Sequence, residues 1–298
     1  MSNPKNLIYF GSPLFSAQIL ESLLALKDIK LVGVVTQPDK PQGRAQTLTP
    51  SPVAQTASRL NLPTYKPAGL DEANLAHLKL LKPDIFLVVS YGKIIPASWL
   101  ATPTLGTFNI HFSLLPKYRG ALCISEAIKN LDSETGVTLM KMDSQLDHGP
   151  IISAQKVAID TTDDTASLTT KLTQAAVQLL ADKLPEICAQ SFTAIDQDES
   201  KATFTPKTSF LTHANAFISS EKIISATNGI NASEISALIR SLTPEPGAWT
   251  KLGNREIKII NTSLKDEKLQ INLVQLPGKS PITWKQFTAG YQNITNPK

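Results

Sequence analysis

Ile85-Phe86-Leu87-Val88-Val89-Ser90 is the stretch on which the fold turns. Five apolar residues in unbroken succession, most of them β-branched or aromatic, leave no polar face and are too few for a buried helix. They are expected to form a strand covered on both sides. Such a strand belongs to a parallel sheet, because parallel neighbours need crossover connections and those lay helices over both faces. The runs at 6–10 (NLIYF), 30–36 (KLVGVVT), 107–111 (TFNIH) and 137–142 have the same character, and helical patterns at 15–26 and 53–60 alternate with them. The pattern predicts an α/β domain with a doubly wound parallel sheet. Ligands of such sheets bind outside the carboxyl ends of the strands, where the strand order reverses, so functional residues are expected just after strands.

A helix at 165–187 carries Leu168, Leu172, Ala176, Leu179 and Leu184 largely on one face and closes this domain, set at 1–188. The polar run at 189–203 reads as a linker. A second domain, 204–298, contains a helix at 232–242 with Ile235, Leu238, Ile239 and Leu242 at helical spacing, announced by Asn231 as N-cap with Glu234 three residues on. Short strands at 248–252, 256–260 and 269–274 and a closing one around 284–287, with turns at Gly253-Asn254 and Pro277-Gly278, predict a small β-barrel of OB type.

The 298 residues suffice for two average domains, and 42% apolar with 18% charged residues exclude a disordered or low-complexity chain. No apolar run approaches the roughly 20 residues that cross a bilayer. The opening residues show no secretory or transit pattern, so a cytoplasmic protein is expected. Cys123 and Cys188 form no metal-ligand spacing with each other or with His77, His111, His148 and His213, and no metal is expected. The net charge of +4 is unevenly spread: Phe204 to Lys298 holds eleven Lys and Arg against six Asp and Glu, a net of +5, against −1 for the rest. That excess is either an ordinary solvated face or a surface for an anionic partner such as RNA.

The run Phe108-Asn109-Ile110-His111-Phe112-Ser113-Leu114-Leu115-Pro116-Lys117-Tyr118-Arg119-Gly120 carries the most chemistry. Residues two apart on a strand share a face, so Asn109 and His111 present a carboxamide and an imidazole together at a strand's carboxyl end. They are either buried polar groups satisfied by backbone or a catalytic pair. Asp147, in Asp147-His148-Gly149-Pro150, is either a turn carboxylate or, if the strands at 107–111 and 137–142 are neighbours, a partner of His111. An Asn, a His and a carboxylate with no Ser or Cys nucleophile suit direct acyl transfer to an amine. The carboxamide would bind the acyl oxygen, the imidazole would steady its charge or move a proton, and the carboxylate would set the imidazole tautomer. The segment 10–16, FGSPLFS, has one glycine and a proline where dinucleotide folds have three glycines, which argues against NAD and ATP.

NIHFSLLPKYRGA at 109–121, ETGVTLMKMDSQLDHGPI at 134–151 and TQPDKPQGRAQTLTPSPV at 36–53 closely resemble the methionyl-tRNA formyltransferases. ATFTPK at 202–207, SLTPEPGAWT at 241–250 and QLPGKSPITWKQF at 275–287 extend the resemblance over essentially the whole chain. The first two motifs are common to 10-formyltetrahydrofolate-dependent transferases, and the third is specific to the tRNA enzymes. The resemblance implies a formyltransferase domain and formyl transfer from 10-formyltetrahydrofolate to the α-amino group of methionyl initiator tRNA, by a monomer. Asn109, His111 and Asp147 match the catalytic residues, with Asp147 and a water relaying the proton. Ser113, Leu114, Leu115 and Pro116 match the folate-binding motif, Gly92, Ile94 and Ile95 the pteridine pocket, and Asp143 the loop that closes it. Phe15 matches a residue near the acceptor's methionine. Lys40 and Arg44 fall in the segment that wedges into the tRNA acceptor end.

Two departures stand out. Ala45-Gln46-Thr47 replaces further lysines, which should weaken phosphate contacts, and 121–125 (ALCIS) replaces Ala-Ala-Pro-Ile-Gln beside the site, which alters the acceptor pocket. Cys123, within that segment, is read as a small buried hydrophobe rather than a reactive thiol. The nearest rival is a formyltransferase for a nucleotide-linked amino sugar, with the same Asn/His/Asp set but without the 36–53 pattern. Glycinamide ribonucleotide transformylase lacks a second domain. A catalytically idle RNA-binding or folate-binding homologue is opposed by the intact Asn109, His111 and Asp147.

Overall fold

The computed structural model describes residues 3–43 and 45–290. The apolar runs become strands of a seven-stranded sheet, which also gains members too short or too polar to stand out in sequence. The strands of the chain's first part are β1 (Lys5–Gly11), β2 (Ile29–Val35), β3 (Lys40–Gln42), β4 (Thr47–Thr49), β5 (Thr64–Tyr65), β6 (Ile85–Val89), β7 (Gly106–His111), β8 (Glu134–Lys141) and β9 (Ile151–Ala158). The sheet runs β5-β2-β1-β6-β7-β8-β9, while β3 and β4 pair with each other alone. All pairs from β5 to β7 are parallel. The chain winds outward from β1 through β2 to β5, then returns to start again at β6, so the strand order reverses between β1 and β6. β8 departs from the all-parallel expectation: it runs antiparallel to β7, with His111 opposite Thr138 and Asn109 opposite Met140.

Every residue of β6 is buried, as its composition requires. Ile8, Phe10, Val35, Phe86 and Val88 pack with Leu75, Leu78, Tyr91, Ile95 and Trp99 in one cluster. The Phe10 ring lies 4.8 Å from that of Phe86 and 5.6 Å, edge-on, from Tyr91. Side chains of this size each contribute about 1.5–3 kcal/mol when fully buried, and the cluster makes the reversal point a rigid platform.

The helices of this part are α1 (Leu14–Ser22), α2 (Pro52–Arg59), α3 (Glu72–Lys79), α4 (Ala97–Leu100), α5 (Cys123–Lys129) and α6 (Thr165–Cys188). Ser51 caps α2 by accepting the Ala54 N–H at 3.0 Å, with Pro52 in the first turn where its missing donor costs nothing. Asp71 caps α3 through the Asn74 N–H at 2.8 Å. Pro185 does not end α6, which continues to Cys188. No helix among the described residues is long and apolar enough to cross a membrane.

By contacts the chain divides into two compact units. The first comprises 1–121, 135–157 and 170–204; the second comprises 122–134, 158–169 and the chain from 205 onward. The second unit holds α7 (Ser220–Thr227), α8 (Ala232–Ser241) and α9 (Trp284–Gly290), with strands β10 (Trp249–Leu252), β11 (Arg255–Lys265), β12 (Lys268–Gln275) and β13 (Ile282–Thr283). Its strands form an antiparallel sheet in sequential order. Ile223, Ala226, Ile235 and Ile239 of α7 and α8 pack on Ile259 and Leu269.

Two local expectations are corrected here. Asn231 does stand at the N-cap position, its carbonyl accepting the Ile235 N–H at 3.0 Å, but it is left-handed at φ +53° rather than extended, as N-caps typically are, and its side chain makes no capping bond. The residues around 284–287 are helical, not a strand: Thr283 Oγ1 accepts the Gln286 N–H at 3.2 Å while Gln286 Oε1 accepts the Thr283 N–H at 2.9 Å, a capping box that starts α9.

Candidate active site

Asn109 and His111 leave the same face of β7 at its carboxyl end, next to β6 and the reversal point. They are 7% and 6% exposed. His111 Nε2 lies 2.9 Å from the Tyr118 carbonyl oxygen. A carbonyl only accepts, so Nε2 carries the hydrogen, and Nδ1 is the nitrogen turned to Asp147, whose Oδ2 is 3.6 Å away. That separation is too long for a direct hydrogen bond and short enough for an ion pair once the ring is protonated. The Asn109 carboxamide makes no side-chain hydrogen bond among the described residues.

Asp147 lies in the loop between β8 and β9, in the left-handed region at φ +47°. Its Oδ2 also accepts the Gly120 N–H at 2.7 Å, so the tight turn after Arg119 aims the carboxylate. Two residues on, Gly149 passes so close to the end of β8 that a Cβ would strike the Lys141 carbonyl. Because β8 runs antiparallel it ends with Lys141 opposite Phe108, and the Met142 N–H bonds the Thr107 carbonyl, so the loop that follows must fold back along β7 to bring Asp147 to His111. Strand spacing already put Asn109 and His111 on one face and made Asp147 a partner of His111 only if the strands at 107–111 and 137–142 are neighbours; β7 and β8 are neighbours, and the carboxylate reaches the ring.

The loop at 113–116 is fastened from below. Thr138, across from His111, donates Oγ1 to the Ser113 carbonyl at 2.6 Å and accepts the Leu115 N–H at 3.2 Å. Ser113 Oγ donates to the Lys117 carbonyl at 2.6 Å, and the Leu115–Pro116 peptide is cis. Ser113 and Leu115 are buried, while Leu114 and Pro116 are partly exposed. Phe15 and Phe112 meet edge-on at 4.9 Å. After β6, the Tyr91 carbonyl accepts from Ser12 Oγ at 3.2 Å and Gln37 Nε2 at 3.0 Å, which ties the loops of β1, β2 and β6 together. Gly92 follows at φ +82°. Ile95 packs into the aromatic cluster, whereas Ile94 is 87% exposed. Asp143 accepts the Gln145 N–H at 2.8 Å and pairs with His148 Nδ1 at 2.6 Å.

Sequence reasoning missed the residues that hold this loop. Arg119 is 2% exposed, and its guanidinium meets Gln197 Oε1 through Nε at 3.1 Å and Nη2 at 2.8 Å. It also meets Glu199 in a two-toothed pair at 2.9 and 2.6 Å, which holds the Glu199 carboxyl below its ordinary range. His148 Nε2 stands 3.5 Å from the same carboxylate. The polar composition of 189–203 gave no sign of this. The signal in reach was Arg119 itself, a cation in an apolar neighbourhood that needs an anion.

Lys40 is exposed on β3, in the hairpin with β4 that occupies the 36–52 loop; Arg44 lies outside the described residues. Cys123 is buried, and burial pushes the Cys188 thiol up to about 11.

The model of a family described as formyl transferase matches residues 5–184, and that of the formyl transferase C-terminal domain matches 221–270. A methionyl-tRNA formyltransferase of Dictyoglomus thermophilum is 40% identical over 261 residues, covering 87% of this chain and 79% of the relative. One from Staphylococcus aureus is 36% identical over 314 residues, covering 97% of each. Among solved structures, WlaRD, a sugar 3N-formyl transferase determined in the presence of dTDP and 5-N-formyl-THF, superposes with a TM-score of 0.63. It is 20% identical, with coverage of 93% of this chain and 94% of that one, a likeness of fold.

Proposed function

The chain belongs to the methionyl-tRNA formyltransferases, and from that premise we propose that it transfers a formyl group from 10-formyltetrahydrofolate to the α-amino group of methionine on initiator tRNA, as a cytoplasmic monomer serving translation initiation. The observation that carries this reading is the meeting of Asn109, His111 and Asp147 at the carboxyl end of β7. The donor supplies the formyl carbon and an amine as leaving group. Asn109 fits this chemistry, because its buried carboxamide, which makes no side-chain hydrogen bond among the described residues, can donate to the formyl oxygen as charge develops there. His111 is fixed through Nε2 and offers Nδ1 on the side of Asp147, where an imidazolium would steady that charge. Asp147 accepts the proton that the attacking amine loses and returns it, through a water, to the departing nitrogen. The turn at Gly120 keeps its carboxylate aimed throughout.

The loop at 113–116, with Gly92, Ile94, Ile95 and Asp143, is assigned to the folate. Lys40 on the hairpin, Arg44 and the basic stretch from 204 onward are assigned to the tRNA, and 1–188 to catalysis together with 189–203, which belongs to the first compact unit and is no free linker. The test is formylation of methionyl initiator tRNA, methionyl elongator tRNA and an amino-sugar nucleotide in parallel, with 10-formyltetrahydrofolate. Fast turnover of the initiator alone is expected. Turnover of the sugar without the tRNA would transfer the site to a sugar acceptor, and no turnover of any would make the chain a binding protein.

A further inference from the structure

Gln197 lies between the two segments matched by the family models, in a stretch whose composition suggests only a solvated connection. The first unit nevertheless fastens this stretch at both ends. Ile195 exchanges two backbone hydrogen bonds with Ile151, each 2.8 Å, and Thr203 accepts the Arg119 N–H at 2.8 Å while donating its own N–H to Pro116 at 3.2 Å. Between those points Gln197 reaches the Asp147 loop. Its Nε2 donates to the Asp147 carbonyl at 2.9 Å and to the Gly149 carbonyl at 2.8 Å. Its Oε1 takes two donors from Arg119.

The amide therefore uses both hydrogens and both lone pairs. Its orientation follows from chemistry: a guanidinium only donates and carbonyls only accept, so the flipped amide would oppose like groups on both sides. Arg119 is held in turn by Glu199. The peptide units gripped by Gln197 bracket His148 and begin at Asp147, whose left-handed backbone is one that Asp tolerates at small cost and that these bonds hold in place.

We propose that Gln197 is a positioning residue for Asp147: it clamps the carbonyls of Asp147 and Gly149 so that the carboxylate stays on the Nδ1 side of His111. The clamp acts on turnover through Asp147 and touches neither substrate. The inference rests on the reading of Asp147 as the group that handles the proton.

The experiment is a double-mutant cycle on the full chain, with Gln197→Glu measured alone and in an Asp147→Asn background. Glu keeps the size and the acceptor for Arg119 but replaces the donors with an acceptor. Gln197→Glu alone is expected to lower kcat on the order of 10-fold, with KM for folate and for methionyl-tRNA within about two-fold of wild type, since small misplacements of a reacting group cost rate rather than binding. In the Asp147→Asn background the same change should cost nothing further. An equal loss in both backgrounds, an unchanged kcat, or a loss confined to KM overturns the proposal while leaving Asp147 in its role. If Asp147→Asn itself leaves turnover intact, the reading of Asp147 fails, and the positioning role with it. Should Gln197→Glu not fold, Gln197→Met, similar in length and unable to donate, goes through the same cycle.

Discussion

The loop that carries Asp147 and the hairpin that carries Lys40 both extend from strands of the same sheet, and they are held in opposite ways. The Asp147 loop is gripped from outside by the Gly120 backbone, the Gln197 carboxamide and, behind that, a buried arginine. The hairpin is held by its own ladder, Lys40 against Thr49 and Gln42 against Thr47, and its side chains face solvent. Acyl transfer needs donors placed to a fraction of an ångström, which takes contacts from elements far apart in sequence. A polyanion can be met by charges on flexible stems, for which a short ribbon suffices.

The sharpest way to break this contrast is to change one atom in the gripped loop. Asp147→Asn keeps size and fold, so thermal unfolding should stay near that of wild type. Single-turnover formyl transfer should fall about 10²–10⁴-fold, the usual cost of losing a group that handles a proton or a developing charge. His111→Ala belongs in the same range. A loss of only a few-fold for both would mean that the preformed geometry serves the fold and not the chemistry.

A pair of glycine substitutions tests the grip itself. At Gly149 an added Cβ meets the Lys141 carbonyl, a backbone atom held in the sheet, so the loop must shift away from β8. Gly149→Ala is expected to lower kcat on the order of 10-fold or more. At Gly43, on the hairpin, a Cβ meets nothing within 4 Å, and the strain is confined to φ +68°. Gly43→Ala should cost about 1 kcal/mol of local stability and leave kcat at saturating substrate unchanged. Equal effects on kcat would show that the two loops are not held differently.

Lys40→Ala moves the test to binding. If Lys40 meets tRNA phosphate, its loss should raise KM for methionyl-tRNA a few-fold and flatten the log–log salt dependence by about 0.7–0.9, one released counterion, while kcat and KM for folate hold. An unchanged salt slope would remove Lys40 from the contact. Asp147→Asn, measured alongside, should leave the slope where it was.

The contrast also explains what could be read from sequence. A buried parallel strand announces itself, as β6 does, and period two alone puts Asn109 and His111 on one face. Direction is not written in composition, so β8 looked like its parallel neighbours although it runs against β7. The hairpin strands, three residues each and wholly or largely exposed, have no apolar face to betray them. The helix α9 is legible in Thr283 and Gln286 at capping-box spacing, but the apolar Trp284 and Phe287 beside them read equally as a strand. Least legible was the clamp on the Asp147 loop, because Arg119 and its partners stand 78 and 80 residues apart. Nothing in a polar tract records which of its side chains face inward.

The smallest expected effect lies where the gripped loop meets solvent. Arg119 holds the Glu199 carboxyl below its ordinary value near 4.5, with the neighbouring His148 acting in the same direction and Asp143 in the other. A carboxyl whose folded pKa is depressed stabilises the fold fully above its unfolded value, and that contribution disappears as pH falls through the folded one. The unfolding temperature of wild type should therefore exceed that of Glu199→Gln at neutral pH, and the gap should close only below about pH 4. Because Glu199 is more than half exposed, water and salt screen the pair, and the gap should be on the order of 1 °C. Formyl transfer by Glu199→Gln should remain close to wild type, since Gln197 still receives Arg119 and still holds Asp147. A fall in turnover as large as that of Gln197→Glu would place the origin of the grip in the ion pair, and the carboxamide would then be only its relay.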